Sequence, residues 1–179
     1  MESGLADLLH QASLGNEQAW RSLVDRYSRR VFAVAKAHCG STELAEELTQ
    51  SVFVTVASKL ARGQYREKGR FESWLFRVAM NRVRDEARRV RRQAVPADPV
   101  SFSAFHAPPE IASDPARLDA LRSALATLPE RDREVIHLRH HAELSFNQIA
   151  ELLEEPLGTL LARHHRALKK LRSMLEDEP

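Results

Sequence analysis

The residues best equipped for chemistry in this sequence are a tryptophan, an asparagine and a run of arginines. Trp74, Arg77, Asn81, Arg84, Arg88 and Arg91 recur at steps of three or four. On a helix they share one stripe, which carries an aromatic plate, an amide and a row of guanidinium groups. Guanidinium matches phosphate, and an aromatic face stacks an unpaired base. The chemistry offered is capture of a nucleic-acid strand. The same stretch places Phe71, Leu75, Val78, Val83, Ala87 and Val90 close to a second, apolar stripe that can dock on a core. By itself the pattern describes equally a solvated basic helix whose tryptophan belongs to that core.

No catalytic constellation accompanies it. There is no Gly-rich phosphate loop and no Gly-x-Ser-x-Gly, and no carboxylate pair stands apart from helix-surface spacing. An enzyme is therefore not expected, nor a cofactor. His137, His140 and His141 gather around one helix end, and His164 and His165 lie on another helix. A metal would need three or four converging ligands, and Cys39 is the sole cysteine, so no metal site is expected. His164 and His165 suit phosphate or base contact better.

Charge is distributed unevenly. The formal net charge is only +2, yet residues 62–92 hold eleven Arg or Lys against four acids, and residues 156–172 hold five bases and no acid. Two basic patches in a nearly neutral chain point to local contacts with a polyanion. A lone cysteine fits a reducing compartment. The first ten residues lack a signal-peptide pattern, and no window approaches a membrane span, so a cytoplasmic protein is expected.

The elements that must position these residues are helical. Sustained period-two runs are absent, which predicts an all-α chain. A short helix over about Leu5–Ser13 precedes one that Asn16 caps, running to about His38 with Trp20, Leu23, Val24, Tyr27, Val31, Val34 and Ala35 inward. Gly40-Ser41-Thr42 separates it from a helix over Glu43 to about Leu60. There Leu44, Leu48, Val52, Val56 and Leu60 face inward with Phe53 at the edge, while Glu46, Glu47 and Gln50 project outward. The loop from Ala61 to Gly69 has two glycines, a tyrosine and three bases, a composition suited to close approach to a nucleic-acid backbone. The basic helix follows and frays near Arg92.

Between Gln93 and Ser113 four prolines exclude a continuous helix, and the stretch reads as an inter-domain linker in which Phe102 and Phe105 are unusual. Asp114-Pro115 reopens helix as N-cap and first residue, with Leu118, Leu121, Leu125 and Leu128 apolar. A further helix spans Glu130 to about His140, with Val135, Ile136 and Leu138 inward. Ser145 and Gln148 form a capping-box pattern that opens a short helix to Leu153. A turn over Glu154–Thr159 leads into a last helix ending near Leu175. A short apolar helix, a tight turn and a longer basic helix form a helix-turn-helix layout. In it the second helix enters the major groove, which places Thr159, Leu161, Ala162, Arg163, His165 and Arg166 at or near DNA, with Leu160, Ala167, Leu168 and Leu171 buried.

These residues together resemble the sigma-70 family of bacterial RNA polymerase sigma factors, in its compact extracytoplasmic-function branch. Ala45-Glu46-Glu47-Leu48-Thr49-Gln50-Ser51-Val52-Phe53 is similar to the family's polymerase-binding motif, A-E-D-L-T-Q-E-V-F. Phe71, Trp74, Leu75, Ala79 and Asn81, then Asp85 and Arg88-Arg89, resemble its promoter-melting helix. Leu128-Pro129, Arg133, Val135, Ser145, Ile149-Ala150, Pro156, Gly158-Thr159 and Arg166-Ala167-Leu168 resemble its second domain.

The resemblance implies two small helical domains, at 1–92 and 114–179, joined by the extended linker 93–113. The first domain would grip the β′ clamp of core RNA polymerase through Glu46, Glu47, Leu48, Gln50 and Phe53. It would also hold the −10 strand of promoter DNA through Arg62, Gln64, Tyr65, Arg70, Trp74, Arg77, Asn81 and Arg84. The second would read the −35 element and sit on the β flap. An anti-sigma factor is a further partner that the resemblance allows.

Departures bear on this. Glu47 stands for Asp, Ser51 for Glu, and Asn147-Gln148 for Glu-Glu. Leu161 and Ala162 cannot hydrogen-bond bases, so −35 readout would rest on thymine methyls or DNA shape. Two rivals remain. A stand-alone helix-turn-helix regulator would leave the Trp74–Arg84 stripe without purpose. A pure interaction protein, acting as a decoy for an anti-sigma factor, would suit Leu161 and Ala162.

Overall fold

The structure, a computed structural model, describes residues 4–93 and 115–176, without the side chains of Arg91, Gln93 and Pro115. The linker with Phe102 and Phe105, the Asp114 cap and the side chain of Arg91 lie outside the described residues. Those described form eight helices: α1 (Leu5–Ser13), α2 (Glu17–Cys39), α3 (Thr42–Ala61), α4 (Phe71–Gln93), α5 (Pro115–Ala126), α6 (Glu130–His140), α7 (Phe146–Leu153) and α8 (Leu157–Glu176).

Local chemistry sets the boundaries. Asn16 caps α2 by accepting from the Ala19 N–H at 3.0 Å, and Ser41 caps α3 through Leu44. Gly40, at φ 74°, ends α2 in the left-handed region that glycine enters without strain. The buried Lys36 then sends its ammonium to the Thr42 hydroxyl at 2.7 Å, tying the end of α2 to the start of α3. The capping box expected at Ser145 and Gln148 is present in both directions. Glu154 takes the left-handed conformation (φ 57°) that turns the chain from α7 into α8.

Helices α1–α4 pack together, as do α5–α8, but the two halves share one apolar interior. A single buried cluster joins Tyr27, Val31, Leu75, Phe76 and Met80 of the first half to Leu138, Leu144, Ile149 and Leu160 of the second. A second cluster brings Ala37 of α2 among Leu125, Ile136, Ala167 and Leu171. The contact runs along α4 against α7 and along α2 against α6.

This arrangement changes which residues are core. On α4, Phe76, Ala79 and Met80 are buried in addition to Phe71, Leu75 and Val83, whereas Val78 is only partly covered. The reason is that α4 is covered by α2 and α3 on one side and α7 on another, so its buried arc is wider than one stripe. Leu121 and Leu168, expected inside, are exposed. Leu168 lies seven residues from both Leu161 and Leu175, and all three are exposed on one line of α8.

Ser145→Ala removes the half of the capping box in which the hydroxyl accepts from the Gln148 N–H, and we expect a loss of about 1 kcal/mol in urea unfolding. A change below the resolution of the titration would show that packing alone holds α7.

Candidate nucleic-acid interface

The loop expected to approach DNA is an ordered turn. The Gln64 N–H donates to the Lys59 carbonyl at 2.9 Å as α3 closes. The Tyr65 hydroxyl donates to Glu67 at 2.7 Å, and the other Glu67 oxygen accepts from the backbone N–H groups of Gly69 and Arg70. Burial and the bond to Glu67 push the Tyr65 phenol above its ordinary range, so it stays a neutral donor. Its ring lies 4.4 Å from Trp74 and 5.6 Å from Phe71, centroid to centroid. Trp74 is therefore part of an aromatic cluster joining loop, α4 and, through Phe71 and Tyr27, α2. It serves first as packing and is partly buried.

Arg62, Gln64 and Asn81 are exposed. The arginines beside them are engaged by the second half. Arg77 donates to the Glu151 carbonyl at 2.6 Å and pairs with Glu154 at 3.6 Å. Arg84 meets Glu134 at 2.6 Å, and Arg70 meets Glu151 at 3.0 Å. Glu134 is largely buried, which pushes its carboxyl up against the opposing pull of Arg84. Arg77 and Arg84 of the stripe chosen for phosphate are thus engaged by carboxylates and a carbonyl of α6, α7 and the turn after α7, while Asn81 and Arg88 stay exposed.

Sequence reasoning missed the residues that tie this seam. Arg30 of α2 donates to Glu72 at 2.7 Å and twice to the Ala142 carbonyl, once at 2.8 Å. Gln148 of α7 completes the node by donating to the other Glu72 oxygen at 2.8 Å. Burial raises the Glu72 carboxyl, but the bonds from Arg30 and Gln148 outweigh it and hold the group below its ordinary value. The one available signal was the departure at position 148. Glutamate there would face Glu72 with a like charge, whereas the glutamine amide donates.

On α3, Glu46, Glu47 and Gln50 stand exposed together. Leu48 and Phe53 do not join them; both are buried and support the helix from beneath. Val54, which was not anticipated, is 70% exposed one turn after Gln50.

On α8 the structure exposes Thr159, Leu161, Ala162, His165 and Arg166. Arg163 is a correction. Its side chain is 13% exposed and bridges Asp132 at 3.3 Å and Glu155 at 2.7 Å, so here it joins α8 to α6 and the preceding turn and does not face outward. His164 likewise turns inward, against the rings of His140 and Phe146. Among the described residues no helix is long and apolar enough to cross a membrane, and no group of three His, Cys, Asp or Glu is placed to hold a metal ion.

Residues 23–93 match the model of sigma-70 region 2, and residues 124–173 match that of sigma-70 region 4. The chain belongs to the sigma-70 family. It is 34% identical over 161 residues to the ECF RNA polymerase sigma factor SigE of Mycolicibacterium smegmatis, across 88% of this chain and 62% of that longer protein. It is 32% identical over 165 residues to the RNA polymerase sigma factor CarQ of Myxococcus xanthus, across 91% of this chain and 92% of CarQ. Among solved structures it resembles CnrH in complex with the cytosolic domain of CnrY, at a TM-score of 0.72 and 25% identity, covering 96% of this chain and 97% of CnrH. The two matched regions fall within the two packed halves, so the seam just described lies between sigma regions 2 and 4.

Arg163→Ala should weaken this sigma factor's fold by about 1–3 kcal/mol, the range for losing hydrogen bonds to charged groups. His165→Ala, on the exposed face, should stay within about 0.5 kcal/mol. Equal stability of the two variants in denaturant would return Arg163 to the DNA-facing set.

Proposed function

We propose that this chain is a promoter-selective initiation subunit that binds core RNA polymerase and has no catalytic step of its own. Residues 1–92 carry polymerase binding and −10 strand opening, and residues 114–179 carry −35 recognition across the linker 93–113. The observation that carries the reading is the coexistence of both sigma regions in order with two separate basic surfaces, on α4 and α8. A stand-alone regulator of duplex DNA needs only the second.

The roles follow from exposure and chemistry. Glu46, Glu47 and Gln50, with Val54 beside them, offer an acidic patch with an apolar margin to a basic partner surface, the β′ clamp. Arg62, Gln64 and Asn81 are exposed around the loop and along α4, and Arg70, Arg77 and Arg84 extend the row once released from α6 and α7. Flipping a base out of the stack costs a few kcal/mol, which stacking and phosphate contacts of this kind offset. On α8, Thr159, His165 and Arg166 supply polar contacts, and Leu161 and Ala162 supply apolar ones to thymine methyls. The exposed line Leu161, Leu168 and Leu175 also gives a protein partner an apolar edge, which suits either the polymerase β flap or an anti-sigma factor.

Mixed with core polymerase, the chain should co-elute and give transcripts from defined promoters; failure to co-elute contradicts the reading. Arg77→Ala should reduce strand opening, followed by permanganate reactivity of unpaired thymines, more than it reduces duplex binding. Equal loss in both would favour the simple regulator. Arg166→Ala should shift −35 preference by about 1–3 kcal/mol at one base position if it reads a base edge, and uniformly across sequences if it contacts only phosphate.

A further inference from the structure

The far end of the seam carries a feature that promoter binding does not use. His38, near the end of α2, lies 5.1 Å from His137 of α6, ring centroid to ring centroid, and His137 lies 5.3 Å from His141 in a stacked pair. His137 is buried and His38 is largely so. His38 donates from Nδ1 to the Val34 carbonyl at 2.8 Å, which fixes its tautomer. The stack thus bridges the two halves, about where Ala37 inserts among Leu125, Ile136, Ala167 and Leu171.

The charged groups around the stack come from three helices. His38 faces Arg133 and His141 of α6 and Arg84 of α4; His137 faces His38 of α2 and Arg133, His140 and His141 of α6. All of these are cationic or become so on protonation. Of the α6 carboxylates, Glu134 is committed to Arg84 and Asp132 to Arg163. Lys36 directs its ammonium to Thr42, and Leu125 of α5 with Ala167 and Leu171 of α8 packs around the neighbouring Ala37.

We propose that regions 2 and 4 form a self-masking latch, in which α6 and α7 occupy the strand-binding arginines of α4 and the His38–His137–His141 stack clamps the far end, so that protonating the stack opens the seam. The masking rests on the assignment of the α4 arginines to DNA; the latch itself rests only on the seam.

The sign follows from the environment. Burial, and then the neighbouring cations, lower His38 to about 4 and hold His137 well below its ordinary value; burial also lowers His141. In the open form the rings regain the ordinary value near 6.5. The open form therefore binds more protons in acid. The closed form has its full advantage above about pH 6.5 and loses it as pH falls toward 4. Below 6.5 the opening constant should rise roughly tenfold per pH unit for each imidazole that titrates.

The test follows energy transfer between dyes on Arg21→Cys and Lys169→Cys, both exposed, with Cys39→Ala, in the full chain. We expect high transfer at neutral pH, falling in acid while helical circular dichroism is retained, and a flattened response in His38→Phe with His137→Phe. Constant transfer down to the pH where helicity is lost overturns the latch, as does an unchanged acid response in the double variant. Should that variant fail to fold, the comparison of transfer with helicity in the parent decides alone. At neutral pH a short single-stranded oligonucleotide should lower transfer as it takes the arginines; binding with unchanged transfer overturns the masking. No strand binding even by the acid-opened chain would instead count against the DNA assignment of α4, with the latch judged by the acid response.

Discussion

The contact on which the rest of this structure turns is the guanidinium of Arg30. Its side chain is 16% exposed, and a cation so placed must be balanced. Glu72 supplies the charge, the Ala142 carbonyl takes two further N–H groups, and the rings of Tyr27 and Phe76 lie 5.5 and 5.3 Å beneath it. Of its partners, the Ala142 carbonyl and the more distant Glu143 carboxylate at 3.9 Å belong to the second half. Gln148 then approaches because Glu72 has an oxygen left to satisfy. Parting the halves would leave Arg30 and Glu72 paired with each other and returned to water. The node thus gives register to the seam, and the shared apolar cluster supplies its cohesion.

The same economy governs the α4 arginines. A guanidinium accepts carboxylate or phosphate with similar geometry. Arg77 and Arg84 therefore cannot hold Glu154 or Glu134 and a DNA strand together. Their pairs with those acids are partly exposed, where the net worth of an ion pair is small and screened by salt. A polyanion that offers many phosphates in series competes well against such pairs. The apolar cluster spanning α4 and α7 opposes it.

Much of this was legible in the sequence because the signals were local. The bounds of α1, the caps at Asn16 and Ser145 and the exposed trio on α3 follow from residues a few positions apart. What was not legible depends on contacts between residues distant in sequence. Phe76 and Met80 are buried because α7 lies over them, and Arg163 is withdrawn from the recognition face because Asp132 and Glu155 bracket it. Trp74 was open to two readings until Tyr65 and Phe71 were seen against it. The charge pattern pointed to a polyanion, but the assignment to polymerase and to an opened promoter strand rested on the resemblance, since spacing alone could not separate a strand-binding stripe from a solvated one.

The account's central claim is that the α4 face serves this chain's second half and promoter DNA in turn. A reducible bis-maleimide cross-link between Glu72→Cys and Gln148→Cys, with Cys39→Ala, tests it most directly, because the long native side chains there meet tip to tip across the seam at 2.8 Å. The measurement is promoter-dependent transcription with core polymerase before and after reduction. The cross-linked chain should be inactive and regain activity when reductant cleaves the linker. Equal activity of the two forms would contradict it.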